Sequence, residues 1–214
     1  WLKGGIMYQI FVDRFAKSEK HPAKPKKRTV MIDDWENGIP QYPQIRGDEF
    51  DNNMFFGGNL WGVAEKLDYL KSLGVGVIYL SPIFEAYSNH KYDTGNYLKI
   101  DEMFGGEEAF ENLLKKAKDA DIQIMLDGVF NHTGNDSLYF DAKNKYGEQG
   151  AYNDPDSPYK DWYTFKNYPD EFDSWWGIKI LPKLNHKNES CRKFFTAPGG
   201  VGEKYINMGI KGWR

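Results

Sequence analysis

The stretch GVGVIYLSP, residues 74–82, decides the fold because a glycine, an apolar strand and a polar turn follow one another without a gap. Apolar residues in segment 60–73 recur at spacings of three and four, which predicts an amphipathic helix that ends at Gly74. Val75–Leu80 is apolar almost throughout, as expected of a strand buried on both faces of a parallel sheet. A helix that leads directly into such a strand predicts an α/β protein.

The same alternation extends in both directions from this stretch. Residues 6–12 (IMYQIFV) predict a first buried strand, and residues 107–120 predict a helix followed by a third buried strand over 122–126 (IQIML). Residues 201–208 have the pattern of a helix end, and residues 210–214 that of a fourth strand, so we expect a fragment that stops mid-motif. This order predicts parallel strands joined by right-handed crossovers, in an α/β sheet or barrel.

Two segments interrupt the alternation. Residues 17–53 contain prolines, glycines and a cluster of basic residues over 17–28, which predicts a long solvated loop. Residues 131–188 are rich in aromatic residues and too long for an ordinary connection, which predicts an inserted subdomain. We therefore expect a first part over 1–130, the insertion, and a return to the main fold over 189–214.

The composition excludes several classes of partner and site. Lys and Arg number 28 against 31 Asp and Glu, and the formal net charge of −3 argues against nucleic acid or an anionic membrane as a partner. No segment approaches the roughly 18 uninterrupted apolar residues of a membrane-spanning helix. Cys191 is the only cysteine, so an intrachain disulfide and a zinc site with several thiolates are excluded. The chain begins with Trp1, so we expect the natural start to be missing; a cytoplasmic location is favoured over a secreted one.

Polar side chains gather where the predicted strands end. Residues 89–93 (NHKYD) follow the second strand, residues 127–132 (DGVFNH) follow the third, and residues 212–214 (GWR) lie in the fourth. Because the carboxyl ends of parallel strands meet at one edge of a sheet, we expect these groups to converge. An aromatic ring can cover the apolar face of a pyranose while carboxylates, amides, imidazole and guanidinium bind its hydroxyls. The combination predicts a carbohydrate site.

These segments resemble the α-amylase family of glycoside hydrolases, and more narrowly its neopullulanase and cyclomaltodextrinase-like branch. The resemblance is carried by YQIFVDRF (8–15), GVGVIYLSPIF (74–84), SNHKYDTGNY (88–97), DGVFNH (127–132), LPKLN (181–185) and GWR (212–214). It implies a partial (β/α)8 TIM barrel, with strands 1 to 3, the start of strand 4, and a domain B inserted after strand 3. It also implies a retaining double displacement on α-glucosidic bonds of maltodextrins, cyclodextrins or pullulan.

The resemblance also implies roles for individual residues. Tyr92 would stack on the sugar at the cleavage subsite, His132 would bind its primary hydroxyl, and Asp93 would bind a neighbouring hydroxyl. Asp127 would organise the site and hold Arg214, whose guanidinium would keep the nucleophilic carboxylate ionised. In the family that nucleophile lies two positions after the arginine, and the acid/base comes from a later strand. The fragment itself is therefore expected to be inactive.

The resemblance implies no cofactor for the chemistry, and a structural calcium ion is the one open question. Asn131 matches a position that ligates calcium in some amylases. In the neopullulanase-like branch the loop after the first strand holds calcium more often, and here that loop carries lysines where carboxylates are needed. The sequence therefore disfavours calcium.

Plainer interpretations stay open beside these. Asp127 and Arg214 could form only a structural ion pair. Most aromatic residues between 162 and 176 are expected to form the small core of the insertion, with one or two rings at the substrate groove. A non-catalytic carbohydrate-binding or interaction protein on a partial barrel is the alternative to an enzyme. Half a barrel leaves two edge strands, so we expect the chain to associate with the remainder of its barrel or with itself.

Overall fold

The computed structural model describes residues 2–43, 45, 51–147 and 149–214. The strands are β1 (Ile6–Ile10), β2 (Val30–Met31), β3 (Met54–Phe55), β4 (Val75–Leu80), β5 (Phe84–Ala86), β6 (Thr94–Ile100), β7 (Gln123–Leu126), β8 (Phe165–Asn167), β9 (Glu171–Phe172) and β10 (Gly212–Trp213). The α-helices are α1 (Leu60–Glu65), α2 (Leu67–Ser72), α3 (Gly106–Asp119), α4 (Glu189–Thr196) and α5 (Val201–Met208). Across these residues, none of the helices has the length and apolar character needed to cross a bilayer.

The main sheet contains four parallel strands in the order β1, β4, β7 and β10. Along the chain, α1 and α2 lie between β1 and β4, and α3 lies between β4 and β7. Helices α4 and α5 lie between β7 and β10. Leu80 of β4 lies opposite both Ile10 of β1 and Leu126 of β7, so the carboxyl ends of these strands are level. The predicted fold class, a partial (β/α)8 barrel, is confirmed.

The two faces of the sheet have different surroundings. Ile78 and Leu80 are fully buried on the face that packs against the helices, in one large core with Leu60 of α1 and Phe110 of α3. The alternate residues of the strands, Val77, Tyr79 and Met125, form a separate small apolar cluster. Side chains alternate between the two faces along a strand. The polar residues just beyond Val77, Tyr79 and Met125 therefore lie on the face of the sheet that is turned away from the helices.

Two sequence-based predictions of secondary structure are wrong in part. The helix expected over 60–73 is two short helices, because Lys66 leaves the helical region with φ −100° and ψ 5°. The first strand was expected to be buried on both faces, but Ile6 and Met7 are 52% and 47% exposed. Among the described strands, β1 pairs only with β4, so it lies at an edge of the sheet.

A third correction concerns the basic cluster in the long loop, which is not solvated throughout. Lys26 of this cluster pairs with the fully buried carboxylate of Asp101, and the Lys91 ammonium lies 2.6 Å from the same oxygen. Burial by itself raises the pKa of Asp101, but Lys91 and Lys26 outweigh it and hold that pKa below its ordinary value. Burial, and then the neighbouring Lys91, lower the pKa of Lys26. The three charges fasten the loop to the β5–β6 hairpin, within which Tyr92 lies.

Segment 131–188 is held together, and connected to the end of β7, by isolated β-bridges and one short two-stranded sheet. His132 pairs with Lys183 and Tyr163 with Leu184 in antiparallel bridges, and β8 pairs with β9. Most of its aromatic rings pack on one another, as in the contact of Phe140 with the Tyr163 ring at 4.8 Å between centroids. The domain boundaries at residues 130 and 188 stay a prediction.

We predict that Asp101→Asn lowers the free energy of unfolding by about 3–5 kcal/mol, because it leaves two ammonium groups without their buried counter-charge. Urea denaturation monitored by circular dichroism measures this change. Asp121→Asn is the matched control, since that carboxylate is 91% exposed and lies 3.8 Å from Lys71. The control should change the free energy by less than about 1 kcal/mol. Equal losses in the two variants would contradict the buried role of Asp101.

Candidate active site

Asp127 lies at the carboxyl end of β7 and is the centre of a polar cluster. Its carboxylate is buried, and three groups reach the same Oδ2 atom. The Tyr79 hydroxyl donates to it through a short hydrogen bond, the Tyr92 hydroxyl donates over 3.0 Å, and Arg214 Nη1 donates over 3.4 Å. The donors come from β4, from the loop before β6 and from the end of β10. Three neighbouring strand ends therefore converge on one carboxylate, as the sequence predicts.

Strand register explains why Arg214 reaches Asp127. Trp213 lies opposite Leu126, so the next residue of each strand is level, and Arg214 N donates to Leu126 O over 2.8 Å. Gly128 N donates to Arg214 O over 2.9 Å and continues the pairing past the strand end. A Cβ atom on Gly128 would lie 2.8 Å from the Phe130 ring, so only glycine fits this turn without a shift of its neighbours.

Burial favours the protonated forms of the two phenols beside Asp127, and the Asp127 carboxylate favours those of the phenols and of Arg214. Burial, and then the Asp127 carboxylate, raise the pKa of both Tyr79 and Tyr92 above the ordinary value of a phenol. Asp127 also raises the pKa of the Arg214 guanidinium. The two phenols therefore remain donors and the arginine remains cationic at neutral pH. Arg214 uses Nη1 for its hydrogen bond to Asp127, and its guanidinium carries further N–H donors.

His132 lies beside this cluster and is bound to Tyr92 through the backbone. Its Nε2 atom is 3.1 Å from Tyr92 O, and its Nδ1 atom is 3.1 Å from the Asn131 amide nitrogen. This pairing assigns the proton to Nε2, because a carbonyl can only accept and an amide nitrogen can only donate. Burial lowers the pKa of His132, and the Tyr92 carbonyl and Asp93 oppose that shift only in part. The imidazole is therefore neutral at pH 7.

Asp93 is directed into its own loop. Its carboxylate accepts hydrogen bonds from Ser88 N over 3.0 Å and from the Ser88 hydroxyl, and the side chain is buried. His90 Nδ1 accepts a hydrogen bond from Tyr92 N over 3.1 Å in the same turn. Asp93 therefore fixes the loop that carries Tyr92, and its predicted contact with a sugar hydroxyl stays a prediction.

The residues considered for calcium do not form a carboxylate site. The Asn131 amide nitrogen lies 3.1 Å from His132 Nδ1, and Lys26 of the first loop pairs with the buried Asp101. Within the described part of the chain, no group of three or more His, Cys, Asp or Glu side chains is arranged to hold a metal ion.

The sequence did not indicate Tyr79 as a member of the site, and it did not single out Trp175. Tyr79 was considered only as part of a buried strand, although its place two residues before Ser81 puts it on the polar face by simple alternation. Trp175 is one of the aromatic residues between 162 and 176 of which one or two rings were expected at the substrate groove, without a choice among them, and its ring lies 5.4 Å from the His132 ring. No local signal marks that contact, because it depends on the return of segment 174–183 to the end of β7.

Comparisons with known proteins show the family to which the chain belongs. The profile of the alpha amylase catalytic domain matches residues 9–214, and the chain belongs to that family. Amylopullulanase of Thermoanaerobacterium saccharolyticum is 44% identical over an alignment of 245 positions, and neopullulanase 2 of Thermoactinomyces vulgaris is 34% identical over an alignment of 221 positions. Both alignments cover 100% of this chain, but only 19% and 34% of those proteins. The predicted family and its neopullulanase-like branch are confirmed.

A solved structure gives the same result for the fold. The cyclic α-maltosyl-(1→6)-maltose hydrolase of Arthrobacter globiformis, in complex with that cyclic sugar, superposes with a TM-score of 0.76 at 30% identity. The match covers 98% of this chain and 43% of the hydrolase. The chain thus spans less than half the length of the proteins it resembles here.

We predict that the free energy of unfolding decreases as the pH falls from 7.5 to 5.5. Burial lowers the pKa of His132 and of His90 from 6.5, so the unfolded chain binds more protons than the folded chain in this range. The contribution of these two histidines to the free energy of unfolding is therefore fully present above pH 6.5. It is lost as the pH falls from 6.5 toward their lowered pKa values in the folded chain. Urea titrations at three pH values measure the slope.

The variant His132→Gln tests this assignment, since an amide can replace both hydrogen bonds of the imidazole without titrating. It should lose less stability than the wild type between pH 7.5 and 5.5. A slope identical to that of the wild type would show that His132 contributes nothing to the pH dependence.

Proposed function

We propose that this chain forms the substrate-binding part of the catalytic site of an α-glucan hydrolase or transglycosylase. The substrates are maltodextrins, cyclodextrins or pullulan, and the reaction is a retaining double displacement at an α-glucosidic bond. The observation that carries the proposal is the convergence of Tyr79, Tyr92 and Arg214 on Asp127 at three neighbouring strand ends. The names of the similar proteins, which refer to pullulan and to a cyclic maltosyl sugar, support the same substrate class.

Tyr92 is proposed to stack on the glucose ring at the cleavage position. Its backbone is held by His90 and its hydroxyl by Asp127, 3.1 Å and 3.0 Å away. A ring fixed at both ends loses little conformational entropy when a sugar packs against it. Its hydroxyl points to the carboxylate and leaves the apolar ring face for the sugar.

His132 is proposed to bind the primary hydroxyl of the same glucose. Both of its ring nitrogens already have protein partners, so a sugar must replace one of them. Asn131 is exposed and is the partner that can turn aside, which frees Nδ1 to accept a hydrogen bond from a sugar hydroxyl. The bond from Nε2 to the Tyr92 carbonyl would keep the imidazole oriented during the exchange.

Arg214 is proposed to stabilise the nucleophilic carboxylate, which in the family lies two positions after the matching arginine. Its guanidinium makes one hydrogen bond to Asp127 over 3.4 Å and has further N–H groups to donate. A fixed positive charge next to a carboxylate favours the ionised form that attacks the anomeric carbon. Asp127 is then the positioning residue that fixes Arg214.

We predict that Tyr92→Ala raises the Kd for maltotriose at least about tenfold, since it removes the stacking ring. Tyr92→Phe keeps the ring and should stay within about threefold of the wild type. Tyr69→Ala is the control, because Tyr69 is 55% exposed on α2 and lies outside the candidate site. Isothermal titration calorimetry measures all four proteins. Equal affinity of Tyr92→Ala and wild type would contradict the proposed role.

We also predict that the 214-residue chain alone releases no reducing sugar from maltodextrin. A retaining mechanism needs two carboxyl groups about 5–5.5 Å apart, one as nucleophile and one as proton donor. Asp127 accepts three hydrogen bonds, and both oxygens of Asp93 are occupied by Ser88. A reducing-sugar assay with an active α-amylase as positive control checks this. Steady release would contradict it, whereas binding without release in a longer chain would favour the non-catalytic alternative.

A further inference from the structure

Trp176 is held in an unusual position. Its side chain is 84% exposed, more than any other large hydrophobic residue in the described part of the chain. Its backbone has φ 51° and ψ 27°, the left-handed region that side chains with a Cβ rarely adopt. Burial of an indole is strongly favourable in water, so folding by itself would favour a turn that hides this ring. The turn instead combines backbone strain with an exposed ring.

Backbone hydrogen bonds fix the turn that carries Trp176. Trp175 N donates to Leu181 O over 3.0 Å, and Ile178 N donates to Trp175 O over 3.0 Å. Ser174 pairs with Pro182 in an antiparallel bridge directly beside these bonds. The Trp176 ring stacks on the Trp175 ring with centroids 4.6 Å apart and planes 9° apart. The exposed face of Trp176 is therefore a fixed, flat surface.

The same turn is continuous with the candidate active site. Lys183 pairs with His132, and Thr133 N donates to Pro182 O over 3.1 Å. The Trp175 ring lies 5.4 Å from the His132 ring, with planes 34° apart. Three rings, His132, Trp175 and Trp176, thus follow one another from the proposed glucose position outward to solvent.

We propose that Trp176 is a second sugar-stacking platform, which binds a glucose ring of a longer α-glucan outside the position at Tyr92 and His132. The proposal rests on the proposed function, because it assumes an oligosaccharide at that position. A pyranose presents an apolar C–H face that fits a flat indole, and its edge hydroxyls stay in water. The platform would make binding depend on chain length, since only longer oligosaccharides reach from His132 to Trp176.

The variant Trp176→Gly tests the platform without a threat to folding, because glycine adopts φ 51° without strain. Thio-linked maltoheptaose and thio-linked maltose, which resist hydrolysis, serve as the long and short probes in isothermal titration calorimetry. We expect Trp176→Gly to raise the Kd for the heptamer about tenfold and to leave the Kd for the disaccharide unchanged. Trp176→Phe should retain most of the affinity, because it keeps a ring.

Ile180→Ala is the matched control. Ile180 lies in the same segment and is 55% exposed, but it has no aromatic ring on which a sugar could stack. It should bind both probes like the wild type. Equal heptamer affinity of Trp176→Gly and wild type would overturn the platform while leaving the proposed function intact. Failure of the wild type to bind either probe would overturn the proposed function and the platform together.

Discussion

The buried carboxylate of Asp127 is the constraint on which the rest of the site depends. A carboxylate that is 4% exposed needs donors, and it obtains them from Tyr79 in β4, from Tyr92 in the loop before β6 and from Arg214 at the end of β10. Each donor is fixed in turn by this requirement, so the orientation of the proposed stacking ring and of the arginine follows from one charge. The cluster also keeps the phenols protonated and the guanidinium cationic, which makes its electrostatics stable near neutral pH.

A second buried charge, Asp101, acts at the other end of the loop that carries Tyr92. Lys91 immediately precedes Tyr92, adopts φ 58°, and extends its ammonium group to Asp101. The backbone therefore turns at Lys91 so that one side chain enters the core while the next faces the polar cluster. Asp93 then closes the same loop through Ser88. The site is positioned by buried ion pairs and loop hydrogen bonds as much as by the sheet.

The features that the sequence predicted correctly are those with a signal in neighbouring residues. Val75–Leu80 was predicted with correct bounds, because Gly74 and Ser81 mark both ends of a continuous apolar run. The helix before it was predicted as one piece, since its apolar spacing continues through Lys66 and nothing local marks the break. The prediction that basic residues of the first loop are solvated failed at Lys26, because its partner Asp101 lies far along the chain.

The sequence by itself determined the α/β class, the succession of parallel strands along the chain, and the residue types that gather at their carboxyl ends. Periodicity and strand polarity are local properties, and they suffice to bring Tyr92, Asp127, His132 and Arg214 to one edge. Only the tertiary structure decided that Tyr79 joins them, that Asp93 turns into its own loop, and that Trp175 and Trp176 extend from His132. Those contacts join residues distant in the chain, and their geometry depends on register and loop return, which no local pattern encodes.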